Sequence, residues 1–393
     1  MTIRTALIIC PEDDNPWIKD RRLLGLTVGE RIMLALETIG VKRVAFVGTG
    51  PRPTSSRTNL EVLLPEECIF SSEENAFVLL TADLTFDRKL LDLPEEMPDN
   101  LPVRCLPVSE WSPVASATDK WLERLGSGSD VSGNGFAVRV KDRQSALAAK
   151  RSLLLSLRKP ADGVVSRNLN RHVSLFFTRF LIRTGIRPNQ LTVFIMAMGI
   201  LSGVMAAFAE PWWTLVLAGL FFQGQSIFDG CDGEIARLTY RFSYAGQWLD
   251  TIGDDITNYL FFLGLTIGQA RMHDLPWLYV AGGVTFLFQW GLSFIMYQRI
   301  YKMGTGDLLA IPDVYTKGDD QVTGLFGKVV GILRIVTKRD VFALVIATVT
   351  AAQMPLVALA AMGIGTYPAF WGIAVNELKL RKMEREGQST SPE

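Results

Sequence analysis

Between residues 229 and 254 the chain places four aspartates that could do chemistry together: Asp229, Asp232, Asp250 and Asp254. They lie in the stretch DGCDGEIARLTYRFSYAGQWLDTIGD, with the spacing D-x2-D-G-x2-A-R-x8-G-x3-D-x3-D. At about 100° per helical residue, Asp229, Asp232, Gly233 and Ala236 fall on one stripe. Gly246, Asp250 and Asp254 form a second stripe at i, i+4 and i+8. Two facing helices so arranged offer two carboxylates each. Clustered carboxylates repel one another, and one or two divalent cations would relieve that repulsion. All-oxygen ligands beside a phosphate suit Mg2+ or Mn2+ rather than zinc. Gly233 and Ala236 leave space beside the acids, and Arg237 is a fixed-charge phosphate partner. Acids, small residues and an arginine together describe a metal–diphosphate site of the kind a two-metal phosphotransferase needs. A lone D-x2-D pair would read more simply as an ion pathway, or as acids paired with Arg237 and Arg241. The full spacing is far more specific than such a pair.

The elements that must carry these residues are apolar. Past residue 190 the sequence holds long apolar stretches at Leu191–Phe208, Trp212–Phe228, Ile256–Ile267, Trp277–Met296, Val341–Ala352 and Leu356–Val375. A bilayer-spanning helix needs about 20 mostly apolar residues. The third stretch reaches that length by starting near Gly246 with acids inside it, and the fifth by starting near Lys338. The expectation is six spans, with the four aspartates at the cytoplasmic ends of the second and third. Carboxylates at membrane depth are costly and mark function. Basic residues precede the first span (Arg179, Arg183, Arg187) and lie between the second and third (Arg237, Arg241). More lie between the fourth and fifth (Arg299, Lys302, Lys317, Lys328, Arg334, Lys338, Arg339), and others follow the sixth (Lys379, Arg381, Lys382, Arg385). The alternate loops carry only Arg271. This bias places both termini in the cytoplasm of a multi-pass inner-membrane protein. Ser166–Arg187 mixes Arg167, Arg171, Arg179 and Arg183 with Phe176, Phe177, Phe180 and Leu181 on one face. It reads as an amphipathic helix on the inner leaflet.

The whole-chain numbers agree with two unlike halves. The 393 residues are 20% charged and 48% hydrophobic, with 40 basic and 40 acidic side chains. A net charge of zero argues against a nucleic-acid partner. Four cysteines without a C-x2-C pair argue against a disulfide scaffold or a thiolate zinc site, and two histidines leave little for a His-based site. Met1–Cys10 reads as a buried first strand rather than a secretory segment. Residues 1–150 alternate short apolar runs (Ala6–Ile9, Arg43–Val47, Ala76–Leu80, Gly135–Val140) with a helical pattern at Val28–Ile39. This predicts an α/β domain with a mostly parallel sheet. Gly126–Gly135 reads as a flexible loop. The expected organisation is a soluble domain at 1–150, a linker and interfacial helix at 151–187, a transmembrane bundle at 188–385 and a tail at 386–393.

The pattern formed by Asp229, Asp232, Gly233, Ala236, Arg237, Gly246, Asp250 and Asp254 resembles the CDP-alcohol phosphotransferase (CDP-alcohol phosphatidyltransferase) family, with no departure. Pro188-Asn189-Gln190-Leu191-Thr192 also resembles the family's start, and the likeness covers roughly residues 160–385. The resemblance implies a homodimeric six-helix membrane enzyme of phospholipid or headgroup synthesis, with a polar cavity open to the cytoplasm. It implies transfer of a substituted phosphate from a CDP-linked donor to an acceptor alcohol, releasing CMP. Asp229, Asp232 and Asp250 would then hold two Mg2+ or Mn2+ ions at the diphosphate. Asp254 would help bind metal and act as base, and Asp255 is secondary. Gly233, Ala236, Arg237 and Gly246 would line the nucleotide and phosphate site.

In the N-terminal half, Ala6–Ile9, Val28–Leu36, Val41–Gly48 and Leu79–Asp83 resemble sugar-nucleotidyltransferase domains, with Asp83 at the metal-binding strand end. The fusion resembles bifunctional archaeal inositol-phosphate enzymes that make their own CDP-alcohol. The family's Gly-rich loop is replaced here by Pro11–Lys19 (PEDDNPWIK), which sets acids where phosphates would lie. The favoured expectation is therefore a degenerate, nucleotidyltransferase-like domain, with a bifunctional enzyme as the alternative. Arg299 and Lys302 are candidate contacts for an acceptor phosphate, against simple positive-inside anchoring. His172 reads as interfacial, Trp212, Trp213 and Trp277 as outer-interface belt residues, and Cys231 has no assigned role. From another class, a cation-coupled transporter could use the same aspartates, although no internal repeat is visible.

Overall fold

The computed structural model describes residues 3–12, 14–87, 90, 103–111, 125, 135–158, 165–311 and 339–385. Most of the Gly126–Gly135 loop, the basic residues Lys317, Lys328, Arg334 and Lys338, and the 386–393 tail lie outside the described residues. The chain divides into two compact units. One comprises Met1–Lys159 with Ile182–Gly185 and Arg237–Tyr240; the other comprises Pro160–Leu181, Ile186–Ala236 and Arg241–Glu393.

The first unit is α/β. Strands β1 (Ile3–Ile9), β2 (Arg43–Val47), β3 (Glu61–Leu63), β4 (Ala76–Thr81) and β6 (Val103–Pro107) form one sheet in the order β3-β2-β1-β4-β6. Strands β5 (Leu84–Phe86) and β7 (Ala137–Arg139) form a separate antiparallel pair. β1 runs parallel to β2 and β4, and β2 parallel to β3; β6 alone is antiparallel, along β4. The central strands are continuous apolar runs because both faces are covered. Leu7, Ile8, Ile9, Leu79 and Leu80 are buried accordingly. The crossover from β1 to β2 runs through α1 (Pro16–Lys19) and α2 (Val28–Thr38). A capping box starts α2: the Glu30 N–H donates to Thr27 Oγ1 at 3.1 Å, and the Thr27 N–H to Glu30 Oε2 at 2.9 Å. Helix α3 (Arg143–Ser156) follows β7. The order reverses at β1 and β4, so their carboxyl ends flank the position where doubly wound sheets bind ligands. There Gly48 takes φ +99, and a Cβ on it would lie 2.2 Å from the Cys10 carbonyl oxygen. The exit of β2 is thus pressed against the exit of β1.

The second unit is helical. It holds α4 (Arg171–Thr184, preceded by one wide helical turn at Ser166–Asn170) as far as Leu181, α5 (Pro188–Phe208), α6 (Trp213–Thr239) as far as Ala236, and α7 (Tyr244–Met272). Then come α8 (Trp277–Lys302), α9 (Arg339–Ala351) and α10 (Pro355–Arg385). Helices α5, α8 and the Pro355–Lys382 part of α10 are each long and apolar enough to cross a membrane. Helices α6 and α7 span 27 and 29 residues, and each carries acids of the Asp229–Asp254 stretch. Helix α9 spans 13 residues. Val193, Phe194, Val280, Leu287, Trp290 and Ile364 are exposed, an apolar outer surface that lipid rather than water would solvate.

Small residues set the helix spacing. A Cβ on Gly264 of α7 would lie 2.1 Å from the Gly203 carbonyl oxygen of α5, and one on Gly268 would lie 2.4 Å from that of Ala206. Gly203 and Ala206 of α5 thus meet Gly264 and Gly268 of α7, and small residues let the two backbones come close. Toward the far end, Phe222 of α6 stacks on Phe261 of α7, with ring centroids 4.1 Å apart.

Candidate active site

The chemistry-bearing residues converge where α6 and α7 come together. Asp229 on α6 and Asp250 and Asp254 on α7 place one carboxylate oxygen each within 4.8 Å of one another. Asp229 and Asp250 are half-buried and Asp254 is buried. The two helices are pinned just beyond the acids by the Gln225 amide, which donates to Thr257 Oγ1. Gln225 lies four residues before Asp229, and Thr257 three after Asp254. At this level α5 also closes in, since a Cβ on Gly199 would lie 2.4 Å from Gln225 Oε1.

Asp232 is held differently from the other three. It is buried, and its Oδ2 accepts a 2.6 Å bond from the Thr192 hydroxyl of α5. Its Oδ1 accepts from the Gly233 N–H at 2.5 Å. The trio within 4.8 Å does not include it. Arg237 is half-buried in the last turn of α6, with Ala236 beside it. Gly246 lies in the first turn of α7, where its N–H donates to the capping Ser243 Oγ at 2.9 Å. A side chain there would meet Asn189 Oδ1 at 2.8 Å, so the start of α5 passes close by.

The adjacent pair Asp254 and Asp255 point to different neighbours. Asp254 joins the trio. Asp255 turns to α8, where its Oδ2 accepts from the hydroxyls of Ser293 and, at 2.6 Å, Tyr297. Tyr259 completes that network by donating to Ser293 Oγ. Arg299, in the last turn of α8, is buried with its Nε 3.9 Å from Glu377 Oε2 of α10. Lys302 is exposed one turn on.

Helix α4 departs in one respect from the amphipathic expectation. Phe176, Phe177 and Phe180 are exposed, but Leu181 turns inward onto Leu191, Ile195, Cys231 and Ile235. The opposite face of α4 is polar and buried, with Arg171, Ser174 and Thr178 on it. The Thr192 contact, and the burial of this polar stripe, depend on which helices become neighbours and were not readable from the sequence.

The donor set fits a hard divalent cation. Three carboxylates are gathered from two helices, and oxygens this close span the ligand shell of an ion with bonds of about 2.1 Å after small side-chain adjustments. Without such an ion the like charges would oppose the packing of α6 on α7.

Fold and site therefore define a helical bundle whose clustered acids could hold a divalent cation. Residues 186–371 match the model of the CDP-alcohol phosphatidyltransferase family. The chain is 34% identical over 154 residues to a protein of Aquifex aeolicus named bifunctional IPC transferase and DIPP synthase, covering 39% of this chain and 34% of that one. It is 34% identical over 146 residues to the protein of the same name from Archaeoglobus fulgidus, covering 37% and 29%. It is 29% identical over 102 residues to an archaetidylinositol phosphate synthase of Pyrococcus horikoshii, covering 26% and 52%. The alignments span about a third of the length of the first of these relatives. Among solved structures, a Mycobacterium tuberculosis phosphatidylinositol phosphate synthase with CDP-DAG bound is similar at 18% identity and TM-score 0.35, over 53% of this chain and 91% of that one.

Proposed function

We propose that the protein is an integral membrane transferase that moves a substituted phosphate from a CDP-linked donor to an acceptor alcohol and releases CMP. The observation that carries this reading is the convergence of Asp229, Asp250 and Asp254, within 4.8 Å, inside the stretch that matches the CDP-alcohol phosphatidyltransferase family model. In this reading those three acids and Asp232 would hold one or two Mg2+ or Mn2+ ions, which would supply charge neutralisation for the diphosphate and the leaving CMP.

The chain's own residues do the rest. Arg237 grips a phosphate oxygen through charge-assisted bonds. Gly233, Ala236 and Gly246 keep the wall thin so that the nucleotide lies against backbone. The acceptor hydroxyl attacks the phosphorus bearing the substituent, and Asp254 takes its proton. A phosphorus–oxygen bond forms to the acceptor, the bond to CMP breaks, and no covalent enzyme intermediate is needed.

The six-span bundle, cytoplasmic termini, homodimer and acceptor-phosphate contacts at Arg299 and Lys302 belong to this proposal. The buried Arg299–Glu377 pair gives Arg299 a competing role inside the bundle. For the N-terminal unit we favour a degenerate nucleotidyltransferase-like domain. Asp83, 1% exposed, accepts from Arg139 Nε on both carboxylate oxygens at 3.1 Å, so a guanidinium occupies the acid a metal would need. The names of the relatives favour the alternative, a bifunctional chain.

The test is CMP release by the purified full chain from a CDP-linked lipid donor across glycerol phosphate, inositol phosphate, inositol and lipid alcohols. One relative is named for an inositol phosphate lipid, which puts inositol phosphate first in that panel. Acceptor-dependent CMP release is expected; its absence with every acceptor would refute the proposal.

A further inference from the structure

The residues between the fixed positions of the aspartate pattern form a face of their own. Glu234 lies on α6 about 140° and 160° round the helix from Asp229 and Asp232. Its side chain is completely buried. Burying a carboxylate costs several kcal/mol unless it is fully partnered, roughly the scale of a domain's whole stability, and here three groups from α4 partner it. Arg171 Nη1 donates to Oε1 at 2.9 Å, Ser174 Oγ to Oε1 at 2.6 Å, and Thr178 Oγ1 to Oε2 at 2.7 Å. Arg171, Ser174 and Thr178 stand at i, i+3 and i+7, one stripe of α4.

The rest of this α6 face is shaped for the same partner. Gly230, four residues before Glu234, lets α4 come close; a Cβ there would lie 3.3 Å from Ser174 Oγ and 3.5 Å from Arg171 Nη1. The Cys231 thiol donates to the Ser174 carbonyl at 3.5 Å. Gln223, seven residues before Gly230 on the same stripe, donates to Asn170 Oδ1 at 3.3 Å. Apolar pairing would hold two helices together at least as well as a buried ion pair. What the polar arrangement adds is directionality, because a carboxylate met by three donors permits one rotation and one height of α6.

We infer that Glu234, held by Arg171, Ser174 and Thr178, is a positioning residue that fixes the rotation of α6 so that Asp229 meets Asp250 and Asp254. This rests on the metal-site reading above. A rotation of α6 by one residue's worth of arc would carry Asp229 away from α7 and open the trio.

The experiment is Mn2+ binding to the purified full chain by electron paramagnetic resonance, without substrate, alongside the Mg2+ dependence of CMP release. The variants are Thr178→Val, Ser174→Ala and Glu234→Gln, with Asp250→Asn as reference and Phe180→Ala as a control on the exposed face of α4. Thr178→Val keeps shape and removes one donor, so it keeps the test open if Glu234→Gln fails to fold. Thr178→Val and Ser174→Ala are each expected to weaken Mn2+ binding roughly three- to tenfold and to shift Mg2+ activation upward in parallel. Glu234→Gln should do so more strongly, and Phe180→Ala should do neither. If Asp250→Asn loses Mn2+ while Thr178→Val and Ser174→Ala bind it like the parent, the positioning role is overturned and the metal site stands. If Asp250→Asn binds Mn2+ like the parent, the metal-site reading itself fails.

Discussion

At the scale of single residues, the proposed reaction gives the four aspartates separable tasks. Asp229→Asn or Asp250→Asn removes one of three converging charges, and each is expected to lower the CMP-release rate by about 100-fold or more with the protein still folded. Asp254→Asn should lose about 10²- to 10⁴-fold in rate yet still bind the CDP-linked donor, because the remaining acids keep a metal. Equal loss of donor binding would reduce Asp254 to a ligand. Arg237→Ala should instead weaken donor binding by about 1.5–3 kcal/mol, the range for a hydrogen bond to a charged group, read as a rise in donor KM. The sequence made these residues legible because type and spacing together restrict the chemistry. It did not reveal Thr192 as the partner of Asp232, or the turn of Asp255 toward Ser293 and Tyr297. Those depend on which helices become neighbours, and a threonine or serine in an apolar helix has no distinguishing spacing.

At the scale of elements, the site depends on close backbone contact between α5 and α7. Gly264→Ala would push a methyl group into the Gly203 carbonyl of α5. The expected loss is about 1–3 kcal/mol, seen as a lower thermal midpoint of the purified chain, with a matching substitution at the open Gly283 of α8 nearly neutral. In the first unit, β1, β2 and β4 are joined by a buried ion pair. Glu74 is 6% exposed, and its Oε1 and Oε2 accept from Arg43 Nη2 at 2.7 and 2.6 Å. Burial pushes the Glu74 carboxyl up, but the Ser71 N–H, the Arg43 guanidinium and the Thr5 hydroxyl together hold it below the usual carboxylate range. A depressed folded-state pKa stabilises the fold above the unfolded value, and that stability is lost as pH falls through the folded one. Calorimetry of the full chain should therefore show the first unit's transition falling in acid. Glu74→Gln should cost roughly 1–3 kcal/mol at neutral pH and flatten that acid fall. The main strands and α2 were readable from apolar runs and from apolar positions at helical spacing. Strands β3, β5 and β6 were not, because they are short or lie at an edge where no apolar run marks them.

At the scale of the whole molecule, the chain joins an α/β unit to a helical unit of opposite surface character, and the composition already implied this. The positions of the apolar stretches were legible, and the helices follow them. Helices α6 and α7 were harder to read as spans because the functional acids interrupt them, so the same residues that announce the site obscure its scaffold. Whether the α/β unit is catalytic is decided by Asp83 and its surroundings. With Arg139 on that carboxylate and PEDDNPWIK after β1, the full chain should release no pyrophosphate from CTP and any common alcohol phosphate. Pyrophosphate release that survives Asp254→Asn would make the chain bifunctional and assign that activity to the first unit.

The central claim is that carboxylates from α6 and α7 hold divalent metal for transfer from a CDP-linked donor. Its most direct test is the rate of CMP release by the purified full chain, titrated with Mg2+ and with Mn2+ after treatment with EDTA. The account predicts no release in excess EDTA, recovery with either ion, and no recovery for Asp250→Asn. Acceptor-dependent CMP release that continues undiminished in excess EDTA would contradict it.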